Sequence, residues 1–419
     1  MKRIVNAVLL LVCAGAFADT GGYSLQLPQH ALTRDDLAVV VNDADPLSVK
    51  IADYYRNARG LAASRLIHVR FDANGRRALS ADEFTGIRKS VLAQLPTGVQ
   101  ALALTWALPF RVDCMSITSA FTFGFDRAYC SAKTCAPTRA SPWFASSSTR
   151  PFDDFGILPT MAIAATDFDQ ARRLIDRGVQ TDGTDPDGTA YLVSTSDRAR
   201  NVRSFLYPII AQRMAGWIDT RIIQTDVLRD RTDVLFYFTG LAEVKGLDTL
   251  RFLPGAVADH LTSAGGNLTG LRQMSALRWL EAGATGSYGT VVEPCNLLAK
   301  FPNPGILIGE YTHGAPLLEA YWKSVNQPGE GLFIGEPLAN PFAGYRLEET
   351  DGKLVLHTRE LPAGSYQLEF ASDPVGPYHT WPKTLTVGPF QKTLELPRLK
   401  PHAYRLEKIL PTLPATPVP

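Results

Sequence analysis

Two side chains in this chain have the types needed for covalent catalysis. His260 ends an apolar run, and Cys295 follows it after a second such run. A thiol activated by an imidazole is a nucleophile, so His260 as base and Cys295 as nucleophile is the candidate catalytic pair. Around them Asp259, Ser263 and Glu293 are expected to form a polar site at one end of a sheet, because open α/β sheets bind ligands beyond the carboxyl ends of their strands. A histidine near acids could also recruit a metal, but hydrogen bonding among these groups is the simpler reading. No glycine-rich phosphate fingerprint is present, since GAVADHLTSAGG does not fit G-x-G-x-x-G, and GSYG lacks the spacing of a nucleophile elbow. No cofactor is implied.

The remaining cysteines read as structural. Of the five, Cys13 leaves with an N-terminal signal, so Cys114, Cys130, Cys135 and Cys295 are left. Residues 1–18 have a basic start (Lys2, Arg3), an apolar stretch and a small-x-small site at Ala16-Phe17-Ala18. That is a secretory signal peptide, and the mature chain is expected to begin at Asp19. The apolar stretch is shorter than the ~20 residues that span a bilayer, and no later stretch is long enough, so no transmembrane segment is expected in the mature chain. An exported chain meets an oxidising compartment, where an even cysteine count suggests disulfides. Cys130 and Cys135 share one polar loop, YCSAKTCAPT, and are the expected pair; with no histidine in that loop, zinc is not expected.

These residues must be held by the elements around them. From Phe252 to Pro294 the chain reads strand, helix, strand: FLPGAVADHLTSAGGNL, then an amphipathic segment from Ser275 to Ala282, then GATGSYGTVVEPCN. Gly283, Ala284, Gly286 and Gly289 allow close backbone approach, to a neighbour or to something bound. The same alternation starts earlier. DLAVVVN (36–42) is a buried strand; Asp45-Pro46 opens a helix that Gly60 stops; Leu66 to Phe71 is a strand; Ser80 to Glu83 is a capping box; Leu102 to Trp106 is a strand. Residues 109–155 break the rhythm with a loop rich in Ser, Thr, Pro and aromatics. It resumes at Met161, with further strands at Tyr191, Ile222 and Asp233 and helices at 167–178 and 200–214. TDGTDPDGT is a turn rather than a calcium loop, lacking the downstream glutamate. A helix at 313–325 and the run 332–342 close this part.

Beyond Gly344, LVLHT, YQLEF, TLTV and TLEL alternate with Gly and Pro turns. The expected fold is therefore an α/β domain over 19–343, with a mostly parallel sheet, helices on both faces and an inserted cysteine-containing loop at 109–155. It is followed by a small antiparallel β-sandwich-like domain at 344–410 and a Pro-rich tail at 411–419. There is no internal repeat. A length of 419 residues fits two domains, and a net charge of +1 gives no reason to expect nucleic acid as partner.

Taken together, VVVNDADPLSVKIADYYRNARGL, the cysteine-containing loop, PGAVADHLTS, GATGSYGTVVEP and GEPLANPF resemble an uncharacterised exported family of bacteria that carry the exosortase (PEP-CTERM) sorting system. A more distant resemblance, to gingipain- and caspase-like cysteine peptidases, rests on the second half: the strand ending in Thr239-Gly240, GATGSYGTVVEP, the helix with Gly314, Glu319, Ala320 and Tyr321, and Gly335-Glu336-Pro337. It implies a caspase-like sheet with a His-Gly at one strand end and a Cys at the next. Here Thr239-Gly240 is followed by Leu241, and neither group occupies its matching position. Two functions follow as expectations. One is a non-catalytic, caspase-like scaffold or binding protein, periplasmic or extracellular, meeting an unidentified envelope or extracellular component. The other is a periplasmic cysteine peptidase or other hydrolase using His260 and Cys295.

Overall fold

The computed structural model describes residues 23–131, 135–270, 272–399 and 403–409. The expected signal peptide and the Pro-rich tail expected at 411–419 lie outside the described residues. The chain divides into two compact units, His30–Gly344 and a second comprising Tyr345 onward together with the segment through Gln29.

The first unit is built on ten strands. In spatial order they are Asp219–Gln224, Thr189–Ser194, Arg231–Thr239, Leu250–His260, Gly286–Thr290, Gly331–Gly335, Thr160–Ala162, Ala101–Leu104, Leu37–Asn42 and Leu66–Val69. All neighbours are parallel except Gly286–Thr290 and Gly331–Gly335. The sheet is thus two parallel halves of five strands joined by one antiparallel ladder. Inner strands are buried along their whole length because helices cover both faces: Leu37–Asn42, Gly286–Thr290 and Gly331–Gly335 are buried at every position.

Local chemistry sets the element ends. Asp45 caps Pro46–Arg59 by accepting from the Leu47 amide, and Gly60 closes it in the left-handed region. Ser80 and Glu83 form a capping box on Ala81–Ala93. The helix expected at 313–325 is Leu317–Ser324, starting later because His313 and Gly314 turn the chain and Pro316 precedes its first residue; the helix Pro304–Thr312 before that turn was not expected. The 3-10 turn Asn201–Leu206 leads into Tyr207–Met214, where one helix was expected.

The described residues of the loop at 109–155 are held by packing. Arg111–Val112 and Met115–Ser116 pair with each other, and the wholly buried segment Ile117–Thr122 runs along the sheet. Ser116 and Ser119 donate to the carbonyls of Gly331 (2.5 Å) and Pro328 (2.6 Å). Cys114 is bonded to Cys130 and Cys135 to Cys295, with Cα separations of 5.7 and 5.5 Å. This corrects the expected Cys130–Cys135 bond. Cys130 follows the 3-10 turn Arg127–Tyr129 and is buried against Cys114, whereas Cys135 is exposed.

In the second unit, strands Ser24–Gln26, Ala403–Lys408, Gly364–Ala371 and His379–Val387 form one sheet, and Tyr345–Thr350, Lys353–Thr358 and Thr393–Leu396 another. Leu354, Leu356, Tyr366, Leu368, Leu396 and Leu406 share a core between them. The stretch 23–29, expected within the α/β domain, instead holds the strand Ser24–Gln26, which pairs in parallel with Ala403–Arg405.

Candidate functional site at the carboxyl ends of the strands

Arg231–Thr239 and Leu250–His260 end side by side, with Thr239 opposite His260. The loops that follow them enclose a groove of about 610 Å³. Glu243 and Asp248 lie on one loop; Arg272, Gln273 and Arg278 come from the other side; Val244, Leu247, Leu268 and Met274 add apolar surface. Among the described residues, neither histidine nor cysteine lines it.

His260 lies beneath the groove. It is 2% exposed. The Trp279 indole N–H donates to its Nδ1 (2.9 Å), and indole can only donate, so Nδ1 carries no proton. The proton therefore sits on Nε2, which donates to the Met274 carbonyl (3.0 Å). Burial pushes the imidazole down to about 4, so it is neutral near pH 7. The Met274 amide donates to the Ala242 carbonyl (2.9 Å), and this joins the two loops. On the adjoining side Arg200 Nε donates to Thr262 Oγ1 (3.1 Å), which donates to Gln273 Oε1 (2.8 Å). Gly240 is required here, because a Cβ would stand 2.0 Å from the Arg200 carbonyl oxygen. Gly289 likewise meets the backbone of Gly265 and Gly266, so the close approach is to a neighbouring segment.

The other expected site residues are not gathered around His260. Asp259 is one residue earlier in the strand, so its side chain emerges on the opposite face. There it pairs with Arg203 (2.5 Å), both being 2% exposed or less. Arg203 also donates to the Thr239 carbonyl (2.8 Å). Burial raises the Asp259 carboxyl, and Arg203 opposes the rise. Ser263 contributes its carbonyl to the Thr290 hydroxyl (3.1 Å). Glu293 is exposed and accepts from the Cys295 amide (2.8 Å). The Cys295 sulfur is bonded to Cys135, and both ring nitrogens of His260 are engaged. The expected pair is thus not present as free thiol and free imidazole.

Sequence reading missed Arg203, Trp279 and Gln273. Only Trp279 gave a signal, as a large aromatic in the helix between the two strands. Among the described residues no group of three or more His, Cys, Asp or Glu is placed to hold a metal, and no helix is long and apolar enough to cross a membrane.

No protein-family model matches the chain. No curated protein sequence matches it. Two solved structures are similar in arrangement. One, a complex of the pro- and mature domains of Porphyromonas gingivalis RgpB, is 11% identical over 86% of this chain and 92% of its own, with a TM-score of 0.41. The other, described as a protease, is 12% identical over 86% of this chain and 90% of its own, with a TM-score of 0.39. Values this low establish no residue-by-residue correspondence.

Proposed function

We propose that this is an exported, caspase-like scaffold that binds a partner of the envelope or extracellular space and does not cleave it, the groove at the strand ends being the binding surface. The observation that supports this reading is His260. The residue best placed to act as a base is committed from both sides, to Trp279 and to Met274, and the Met274 amide in turn bonds to the Ala242 carbonyl of the groove's other loop. A base must reach the proton it takes, and this imidazole has no free nitrogen. Acids on one side of the groove and arginines on the other suit a partner carrying both charges. The two disulfides support export to an oxidising compartment. The motifs at 283–294 and 335–342 support grouping the chain with the exosortase-associated family.

The test is turnover of a fluorescein-labelled casein by the purified mature protein, with and without a thiol reductant, beside His260→Asn and Cys295→Ser. No turnover above the variants is expected in either condition. Cleavage that needs reductant and disappears in both variants would overturn the reading in favour of a cysteine peptidase.

A further inference from the structure

A second cavity, of about 100 Å³, lies between the helices Phe168–Thr181 and Leu277–Ala282. That is several times the space one water needs. Its lining from the longer helix is Gln170, Arg173, Leu174 and Arg177, one face of that helix at i, i+3, i+4 and i+7 spacing.

The polar groups on this face are donors. Arg177 Nη2 donates to the carbonyls of Leu280 (3.1 Å) and Ala284 (2.6 Å), which fixes the guanidinium at the end of the shorter helix. Its Nε is buried and has no partner within the protein. No acid is within ion-pair distance of Arg177 or Arg173 among the described residues. Burial, with Arg173 adding to it, pulls the Arg177 guanidinium down to about 10. Gln170 uses its carbonyl oxygen on the Thr166 amide (3.3 Å) and hydroxyl (2.9 Å), so its amide NH2 is the end left to donate. Glu281, on the opposite wall, is held by Arg278 (2.7 Å).

We infer that this cavity is a binding site for a small oxyanion of phosphate size, held by the guanidinium groups of Arg173 and Arg177 and the amide of Gln170. Arg177 is half-buried and has no acid partner, and such cations are normally paired; the exposed Arg173 lines the same cavity, and an arginine fork matches oxyanion geometry. A set of donors facing a cavity, with its one carboxylate already neutralised, lacks only the acceptor. This site is separate from the groove, and the inference does not rest on the proposed function.

The experiment is calorimetric titration of the mature protein with inorganic phosphate at constant ionic strength in chloride, repeated with methyl phosphate, and with Arg173→Ala and Gln170→Glu. Arg173 is exposed and Gln170→Glu is isosteric, so both variants should fold, which their thermal unfolding verifies. Saturable phosphate binding is expected, at least tenfold weaker in each variant. Binding of methyl phosphate as well identifies a phosphate ester as the ligand class, and its exclusion identifies the free ion. Absence of saturable binding in the wild type, or equal affinity in the wild type and both folded variants, overturns the inference.

Discussion

The two faces of the Leu250–His260 strand end solve one problem in different ways. Asp259 and His260 are neighbours, both almost fully buried, and each is held by side chains distant in sequence. On one face burial is met with charge: Asp259 faces Arg203, and one carboxylate oxygen, Oδ2, is left without a protein partner. On the other face it is met with neutrality: His260 gives its one proton to a carbonyl and takes a hydrogen bond from an indole. The comparison teaches that adjacent polar residues at a strand end need not form one site. Period-two geometry separates them, and the solvent-facing groove belongs to the histidine side.

The largest effect should come from splitting the charged pair. Arg203→Met leaves Asp259 buried without its counter-ion, and a cost of about 3–5 kcal/mol is expected. The double variant Arg203→Met, Asp259→Leu removes both charges and should recover most of that loss. Chemical denaturation of the wild type, both single variants and the double gives the coupling directly. A single variant costing under about 1 kcal/mol would mean that the face tolerates a lone charge and that the contrast with His260 is wrong.

Sequence reached the alternation of strands and helices because apolar periodicity and capping residues are local. Asp45, Gly60, Ser80 and Glu83 each announce an element end that the structure has. It did not reach the antiparallel joint at Gly331–Gly335, since a buried strand reads the same in either direction. Nor did it place Ser24–Gln26, whose partner strand is more than three hundred residues away in the chain. At the candidate site, His260 and Asp259 were singled out by type and position, but their contacts depend on Trp279 and Arg203, which no spacing connects to them. The disulfides failed for the same reason. Proximity in sequence favoured Cys130 with Cys135, while folding brings Cys295 to Cys135.

A second effect separates the faces by pH. The folded His260 imidazole is at about 4, against 6.5 when unperturbed. Between those values the unfolded chain binds the proton and the folded chain does not. Stability from this group is therefore complete above about 6.5 and is lost as pH falls towards 4, by about 3 kcal/mol across the window. Asp259 works in the opposite sense, because its folded carboxyl is raised and protonation favours the folded state. His260→Gln should flatten the wild-type dependence between pH 6.5 and 4, read as the difference in unfolding free energy at matched ionic strength. An unchanged slope in that variant would show that His260 is not the neutral side of the comparison.

The smallest effect tests whether the groove's floor depends on His260 or on the hydrogen bonds beside it. Thr262 is buried, accepts from Arg200 and donates to Gln273. Thr262→Val deletes the hydroxyl and keeps the shape. Its partners are not orphaned: Arg200 retains Asp197 (2.8 Å), and Gln273 still accepts from the Ala264 amide (2.8 Å). The Thr262 carbonyl, which accepts from Thr290 (3.3 Å), is untouched. A net hydrogen bond of this kind contributes about 1 kcal/mol, and an unsatisfied partner would add to that. The expected loss is therefore about 1 kcal/mol, with the pH slope assigned to His260 unchanged. A loss of about 3 kcal/mol or more would place the register of the two loops on the Arg200–Thr262–Gln273 chain, and the histidine would then be a secondary support.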